Sequence, residues 1–469
     1  MTDKIPVKNV TPEEHQGPEL YAKRNAIYTR SFTGLFRNVR ISAGIVLFVL
    51  FLGTVWFQWN GRQAVWWNLP ERKFYIFGAT FWPQDFVLLA WLLIICAFGL
   101  FFITVFAGRV WCGYACPQSV WTWIFMWVEK ITEGDRNQRM KLDKAPMSAN
   151  KFLRKFAKHS LWLLIGLGTG LTFVGYFTPI RELPKDLLTG QASGWAYFWV
   201  SFFTFFTYLF AGWLREQVCI YMCPYSRFQS VMFDKDTLIV SYDEARGEKR
   251  GPRKKGADYQ AQGLGDCIDC KLCVHVCPTG IDIRDGLQIA CIGCAACVDA
   301  CDSIMEKMGY EPGLVSYTTE HNLSGKKTKV LRPRLIGYAL ALTAMASLFT
   351  YTVINRPLVE FNVIKDRTQF RENRQGRIEN VYTLVIINKA QAEHSFKITA
   401  EGLPGIQLEG RSSVKAAEGE LLSVPVSISV APEDLPSSAN EITFHVEAED
   451  DATIKRSTSS RFLGPAVLR

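Results

Sequence analysis

Cys267-Ile-Asp-Cys270-Lys-Leu-Cys273-Val-His-Val-Cys277-Pro278 is followed by Cys291-Ile-Gly-Cys294-Ala-Ala-Cys297-Val-Asp-Ala-Cys301-Asp302, so eight of the chain's 13 cysteines fall within 35 residues. In each copy three thiols at x2 spacing wrap one corner of an iron–sulfur cubane, and the fourth Cys ligates the cluster of the other copy. This fourth Cys is expected to start a helix pointing to that other cluster. The spacing predicts two [4Fe–4S] clusters, one on Cys267, Cys270, Cys273 and Cys301, the second on Cys291, Cys294, Cys297 and Cys277. Asp302 stands where proline is usual, which loosens one turn and leaves the ligand set complete. His275 reads as a solvated or hydrogen-bonding residue, because four thiolates already fill the site.

The sequence around this module is of two kinds. Of the 469 residues 48% are hydrophobic and only 21% charged, with 14 Trp and 32 Phe; an ordinary soluble chain carries about a quarter charged residues. Five stretches meet the requirement of roughly 20 apolar residues per membrane-spanning helix: 41–60, 86–107, 161–180, 195–214 and 335–355. A sixth, 110–128, carries Pro117 and a line of tryptophans. If it spanned, the loop 129–159 with its nine Lys/Arg would face away from the cytoplasm, against the positive-inside rule. It therefore reads as an interfacial helix. With five spans, seven Lys/Arg before residue 41 and ten in 108–159 stand against three in 61–85 and two in 181–194. That bias predicts a cytoplasmic N-terminus and cysteine module, and a periplasmic tail. The polar first forty residues lack a basic-then-apolar start with a small-residue cleavage site, so no removable signal peptide is expected. The formal charge of +9 divides accordingly: residues 356–469 hold 14 Lys/Arg against 16 Asp/Glu, a net of −2, and the rest carries +11.

The second and fourth spans end alike. Ala107-Gly108 leads to Cys112-Gly-Tyr-Ala-Cys116-Pro117, and Ala211-Gly212 leads to Cys219-Ile-Tyr-Met-Cys223-Pro224. Spans one and two, and three and four, are expected to be hairpins repeated in parallel about an axis along the membrane normal. Two Cys at i and i+4 share one helix face, so the symmetry brings four sulfurs together at the cytoplasmic surface. Facing thiolates select Cu(I), zinc or iron–sulfur, and a reversible dithiol/disulfide pair is the chemical rival. Cys96, alone in mid-span, reads as packing. Met222 reads as packing too, since on a helix it points away from Cys223.

None of the six histidines falls within the five stretches, which excludes a bis-histidine haem in the membrane. No Cys-x-x-Cys-His haem motif and no phosphate-binding glycine loop is present. Electrons are expected from a cytoplasmic donor or a quinol, and nothing points to nucleic acid. Disulfides are excluded for the eight-cysteine run by the reducing cytoplasm. From Arg356 the sequence lacks Cys and Trp and alternates β-branched residues, as in 381–388, 394–399, 422–430 and 441–447. This predicts one immunoglobulin-like β-sandwich without an active site.

The fold class is thus mixed. An α-helical polytopic membrane domain (41–233) follows a cytoplasmic tail (1–40). A linker and ferredoxin-like domain (234–334), a fifth transmembrane helix (335–355) and a periplasmic sandwich (356–469) complete it. This arrangement, with Gly313-Leu-Val-Ser-Tyr-Thr-Thr-Glu320, resembles the FixG/RdxA/CcoG family of accessory proteins for cbb3-type cytochrome c oxidase. The resemblance implies a cupric reductase of the bacterial inner membrane that makes Cu(I) for the oxidase's copper centre. Cys112, Cys116, Cys219 and Cys223 are then its catalytic and copper-binding residues. Copper importers or chaperones and oxidase assembly factors are its partners, with homodimerisation open. The alternatives are a NapH/NosR-like quinol dehydrogenase serving a periplasmic reductase, or a non-enzymatic assembly scaffold.

Overall fold

The computed structural model describes residues 26–367 and 370–465; residues 1–25 of the expected tail and 466–469 of the expected sandwich lie outside them. Helix α1 (Leu35–Gly53) continues as a 3-10 turn to Trp56 and stops there, four residues short of the expected end. The segment before the second span is not a plain loop. Strands β1 (Gln58–Trp59) and β2 (Arg62–Gln63) pair, and β3 (Val65–Asn68), β4 (Lys73–Ile76) and β5 (Ala79–Phe81) form an antiparallel sheet. Next come α2 (Phe86–Ala107), α3 (Val110–Tyr114), α4 (Pro117–Glu133), α5 (Arg136–Lys144) and α6 (Ala149–Gly175). Helix α7 (Leu183–Thr189) precedes α8 (Gly194–Thr207), which continues as a π-helical segment, Tyr208–Leu214. A second π-helical segment, Val218–Met222, leads to α9 (Pro224–Met232).

The expected interfacial helix 110–128 is two helices. Proline disfavours helical geometry in the residue before it, and Cys116 is accordingly extended at φ −62°, ψ 127° between α3 and α4. Cys223 before Pro224 is extended in the same way. The Cys pairs therefore straddle helix breaks and do not share one helical face. The third expected span is also displaced: α6 starts at Ala149 and ends at Gly175. Lys151, Arg154, Lys155 and Lys158 fall within its first ten residues. Among the described residues four helical segments, Leu35–Trp56, Pro83–Ala107, Gly194–Leu214 and Pro333–Ile354, are long and apolar enough to cross a membrane; α6 is not among them. It packs closely on α8 because a Cβ at Gly170 would lie 2.7 Å from the Val200 carbonyl oxygen, the small-residue contact usual between membrane helices.

Strand β6 (Ile239–Tyr242) pairs with β7 (Val315–Thr318) and closes the cysteine module at its base. Between them lie α10 (Glu244–Gly247), α11 (Leu272–Val276) and α12 (Ala296–Met308). The expected linker is laid along the first cluster loop, with Gly265 N–H donating to Lys249 O at 2.9 Å and Gly251 N–H to Cys267 O at 3.3 Å. Helices α11 and α12 begin one residue before the third Cys of each motif, which corrects the expectation that the fourth starts them. With Asp302 in place of proline, α12 runs uninterrupted to Met308, and the Asp302 carboxylate accepts from Gly313 N–H at 2.8 Å.

Helix α13 (Glu320–Leu323) leads to α14 (Pro333–Ile354). Helix α2 packs against α14: Phe98 and Tyr338 have ring centroids 6.3 Å apart, and Val105, Met232 and Leu335 share one core.

The remaining strands are β8 (Val359–Lys365), β9 (Arg371–Glu372), β10 (Ile378–Asn388), β11 (His394–Glu401), β12 (Gln407–Gly410), β13 (Ser413–Ala416), β14 (Leu421–Val430), β15 (Ala439–Ala448) and β16 (Lys455–Leu463). They build two facing sheets, β12-β14-β10-β8 with β9 on β10, and β13-β11-β15-β16. Alternate residues meet in one core around Tyr382, Leu384, Phe396, Ile428, Phe444 and Phe462, as two packed sheets require. The sandwich is tied to the β3–β5 sheet and its exit. Buried Lys389 Nζ reaches Asp85 at 3.1 Å and Glu360 at 2.7 Å, and the Arg356 guanidinium lies 4.7 Å from the Phe81 ring centroid.

Candidate electron-transfer site

The two cluster loops have one backbone. Asp269 and Lys271 flank the second Cys of the first motif at φ +50° and +55°; Gly293 and Ala295 flank that of the second at +64° and +55°. A non-glycine residue there costs about 1–3 kcal/mol, so three of the four positions hold strain that turns the thiols inward. Cys301 lies close enough to Cys267, Cys270 and Cys273 for their charges to act on it. Cys297 is acted on by Cys294, Cys291 and Cys277. Cys273, Cys277, Cys291, Cys294 and Cys297 line one pocket together with Ile281, Ile283 and Ile292. The thiol donors and the apolar walls fit cubanes. Burial pushes Cys273, Cys291 and Cys301 up to about 12, so cluster assembly releases protons. His275 is held below its usual value by burial and by Arg136, Arg30 and Lys271.

The membrane-side motifs exchange partners. Two residues after Cys116, Gln118 Nε2 donates to the Phe210 and Arg215 carbonyls at 2.9 and 3.2 Å, at the end of the fourth span. Two residues after Cys223, the Tyr225 hydroxyl bonds that of Thr104, near the end of the second span. Each motif is thus pinned to the other's incoming helix, which is how the repeat expresses itself. Gln229 Nε2 on α9 donates to Cys112 Sγ at 3.3 Å, and the charges of Cys116, Cys112 and Cys223 all act on Cys219. Burial pushes Cys112 up to about 11 and Cys219 to about 12. All four thiols are partly buried, whereas Met222 is exposed. Among the described residues no three His, Cys, Asp or Glu side chains converge closely enough for a single metal ion. A cubane spreads its thiolates over four iron atoms, so its ligands stand farther apart than that.

The second cluster loop lies against these motifs. An added Cβ on Gly113, between Cys112 and Cys116, would meet the Gly293 oxygen at 2.8 Å and Cys294 Cα at 2.9 Å. Cys112 packs in one apolar cluster with Ile292 and Cys294. Arg109 joins both sides: its guanidinium donates to Ile289 O, to Cys291 O at 3.0 Å and to Ser226 O in α9. It is 8% exposed, no carboxylate pairs with it among the described residues, and its partners are backbone carbonyls. The Tyr317 hydroxyl donates to Gly293 O. Asp299 on α12 accepts from Phe36 and Arg37 N–H at 3.1 and 2.7 Å, capping α1. Sequence reasoning passed over Arg109, Tyr317 and Asp299. An arginine directly behind an apolar span was the one available signal, and it reads equally as positive-inside topology.

Comparison with known proteins agrees in detail. A model described as a 4Fe-4S dicluster domain matches residues 214–320, one described as a 4Fe-4S binding domain matches 89–130, and one for the IG-like fold at the C-terminus of FixG matches 349–465. Over 439 residues the chain is 37% identical to nitrogen fixation protein FixG of Rhizobium meliloti, covering 86% of this chain and 84% of that one. The chain belongs to the FixG/RdxA family. Protein RdxA of Cereibacter sphaeroides is 38% identical over 423 residues, 87% of this chain and 88% of that one. A crystal structure of a FixG-related protein from Vibrio parahaemolyticus is 29% identical, covers 23% of this chain and 95% of that one, and has a TM-score of 0.22. This FixG/RdxA protein is therefore a membrane iron–sulfur protein of electron transfer. The match over 89–130 takes in Cys112 and Cys116, and the dicluster match takes in Cys219, Cys223 and all eight loop cysteines.

Proposed function

We propose that this FixG/RdxA protein reduces Cu(II) to Cu(I) on the cytoplasmic side of the bacterial inner membrane, for the copper centre of a cbb3-type cytochrome c oxidase. The observation that carries the reading is the backbone contact between Gly113 and Cys294, which sets the C-x3-C-P motifs against a cluster loop. Cys267, Cys270, Cys273 and Cys301 hold one [4Fe–4S] cluster, and Cys291, Cys294, Cys297 and Cys277 the other. When bound, the clusters supply one-electron storage and transfer. Cys112, Cys116, Cys219 and Cys223 are the soft ligands offered to the substrate copper, two thiolates at a time sufficing for Cu(I) because no three of them converge on one point, and Arg109 offsets the charge that their thiolates bring. Cu(II) gains one electron, and the soft ligands favour the Cu(I) product. Phe36 and Arg37 N–H bond Asp299 of the cluster module, so the start of α1 shares that module's side; with the apolar part of α6 read as a third span beside the four longer apolar segments, the N-terminus and cluster module lie inside and the sandwich outside. Copper importers or chaperones and assembly factors then supply the ion and take it away.

The test is anaerobic Cu(II) reduction by purified protein with Cys112→Ser/Cys116→Ser or Cys219→Ser/Cys223→Ser. Reduction should fall to background while the iron of both clusters is retained; unchanged reduction would overturn the membrane-site mechanism. The 4Fe-4S description of the model over 89–130 favours a second reading, in which the four membrane-side cysteines hold iron and the protein oxidises quinol for a periplasmic reductase. Iron above two clusters' worth, lost in the same variants, would establish it.

A further inference from the structure

Of the eight loop thiols Cys270 alone is exposed, while the second loop is covered by Gly113, Arg109 and Tyr317. The first loop is thus the one open to the aqueous phase. Its rim is basic. Lys271 follows Cys270 and is exposed, and exposed Lys249 lies on the strand of chain bonded to the start of the same loop, its carbonyl accepting from Gly265 N–H and Gly251 N–H donating to Cys267 O. Lys254 and Lys255 continue the exposed run. On the far side, Arg30 N–H donates to the His275 carbonyl at 2.8 Å, and Arg136 acts on the same His275 as Lys271. Asp269 and Asp282 pair with Arg284, each at 2.6 Å, and Glu248 with Arg250 and Asp266 with Arg246, each at 2.5 Å; Asp258 and Asp285 are exposed without an ion pair among the described residues, and the unpaired lysines outnumber them. Lys249, Lys254, Lys255 and Lys271 have no ion-pair partner among the described residues. The charge free to meet a partner at the open edge is therefore positive.

We propose that the Cys270 edge, with Lys249 and Lys271 on its rim, is the docking surface for a small acidic carrier protein that delivers single electrons. The carrier would lose one electron to the [4Fe–4S] cluster that Cys267, Cys270, Cys273 and Cys301 would hold, oxidising the carrier and reducing the cluster iron by one electron, and no bond or proton moves. A basic rim raises the encounter rate of an acidic partner by about 10–1,000-fold, more at low salt, and a small transient interface suits a carrier that must leave after each electron. The proposal rests on the two-cluster reading and is independent of copper.

The experiment uses the full chain in detergent under anaerobic conditions, with an acidic plant-type [2Fe–2S] ferredoxin as the probe. Calorimetry reads the binding of the oxidised ferredoxin, and stopped-flow absorbance reads electron transfer from the reduced one. Both should weaken as salt is raised. Lys249→Glu/Lys271→Glu should lower affinity and rate by about tenfold or more, with iron content and reduction by dithionite unchanged. The same charge change at Lys326 and Lys327, on the exposed turn after α13, should leave both within about twofold. Salt-independent transfer, wild-type behaviour of the rim variant, or faster reduction by a short-chain quinol would overturn the proposal. If the double reversal loses iron, Lys249→Ala and Lys271→Ala, measured singly by calorimetry, replace it: weaker binding supports the rim and wild-type binding overturns it. Normal ferredoxin docking without copper reduction would sink the copper reading alone, and copper reduction with dithionite but no docking would sink this one alone.

Discussion

The two cluster loops share their cysteine spacing, their left-handed residues around the second Cys and the point at which a helix begins, yet their surroundings are opposite. In the first, Cys270 and Lys271 face solvent. In the second, Gly293 and Cys294 lie against Gly113, and Arg109 and Tyr317 hold the neighbouring carbonyls. A duplicated ligand motif therefore sets what each loop binds, and the packing sets whom it serves: one side meets the aqueous phase, the other the C-x3-C-P cysteines. The route open to an electron is a property of the contacts.

The comparison breaks most completely at Gly113. Gly113→Val places a side chain where backbone atoms of Gly293 and Cys294 already stand, within 2.9 Å of the new Cβ, and neither can swing aside. The expected outcome is loss of the second cluster with retention of the first, read by iron and sulfide content and by EPR. Retention of both would mean that the close approach is not required. Arg109→Gln comes next. It removes three hydrogen bonds to carbonyls from a buried cation, at an expected cost of about 3 kcal/mol, measured by thermal unfolding. Loss of the positive charge should also make the second cluster's midpoint potential more negative in a redox titration while leaving the first unchanged.

The smallest effect belongs to the first loop. Hydrogen bonds from Arg284 hold the Asp282 and Asp269 carboxyls below their usual range. A carboxylate whose native value is lowered stabilises the fold above its unfolded value of about 3.9 and loses that contribution as pH falls through the native one. Arg284→Gln removes the contribution, so the variant should be less stable than wild type at pH 7. The difference should close as the pH falls below about 4. First-cluster absorbance against pH checks this, and an equal change in the second cluster would show that the two loops are not independent. The carboxylates are partly exposed, so solvent screening keeps the effect modest.

Much of this was legible in advance wherever the controlling physics is local. The ends of α2 and of the helix 194–214 match the apolar runs, because in a membrane the run itself dictates the element. The sandwich strands follow from period-two alternation in 378–388 and 439–448. The breaks at Cys116 and Cys223 were also readable, since Pro117 and Pro224 disfavour a helical residue before them; the i,i+4 argument passed over that rule. The start of α6 was hidden because charged residues end an apolar run without ending a helix. The pairing of α2 with α14 and the anchoring of the sandwich through Lys389 and Asp85 had no local signal at all, since their partners lie hundreds of residues apart.

The eight-cysteine run, the repeated C-x3-C-P ends and the β character of the last hundred residues are readable from short segments, because ligand spacing and side-chain periodicity are local properties. Only the tertiary structure decided that the motifs exchange partners through Gln118 and Tyr225, that Arg109 is shared between a cluster loop and α9, and that one loop is covered while the other is open. Those facts depend on which surfaces meet across long sequence separations. Burial, charge compensation and access to solvent arise there, and spacing along the chain carries no record of them.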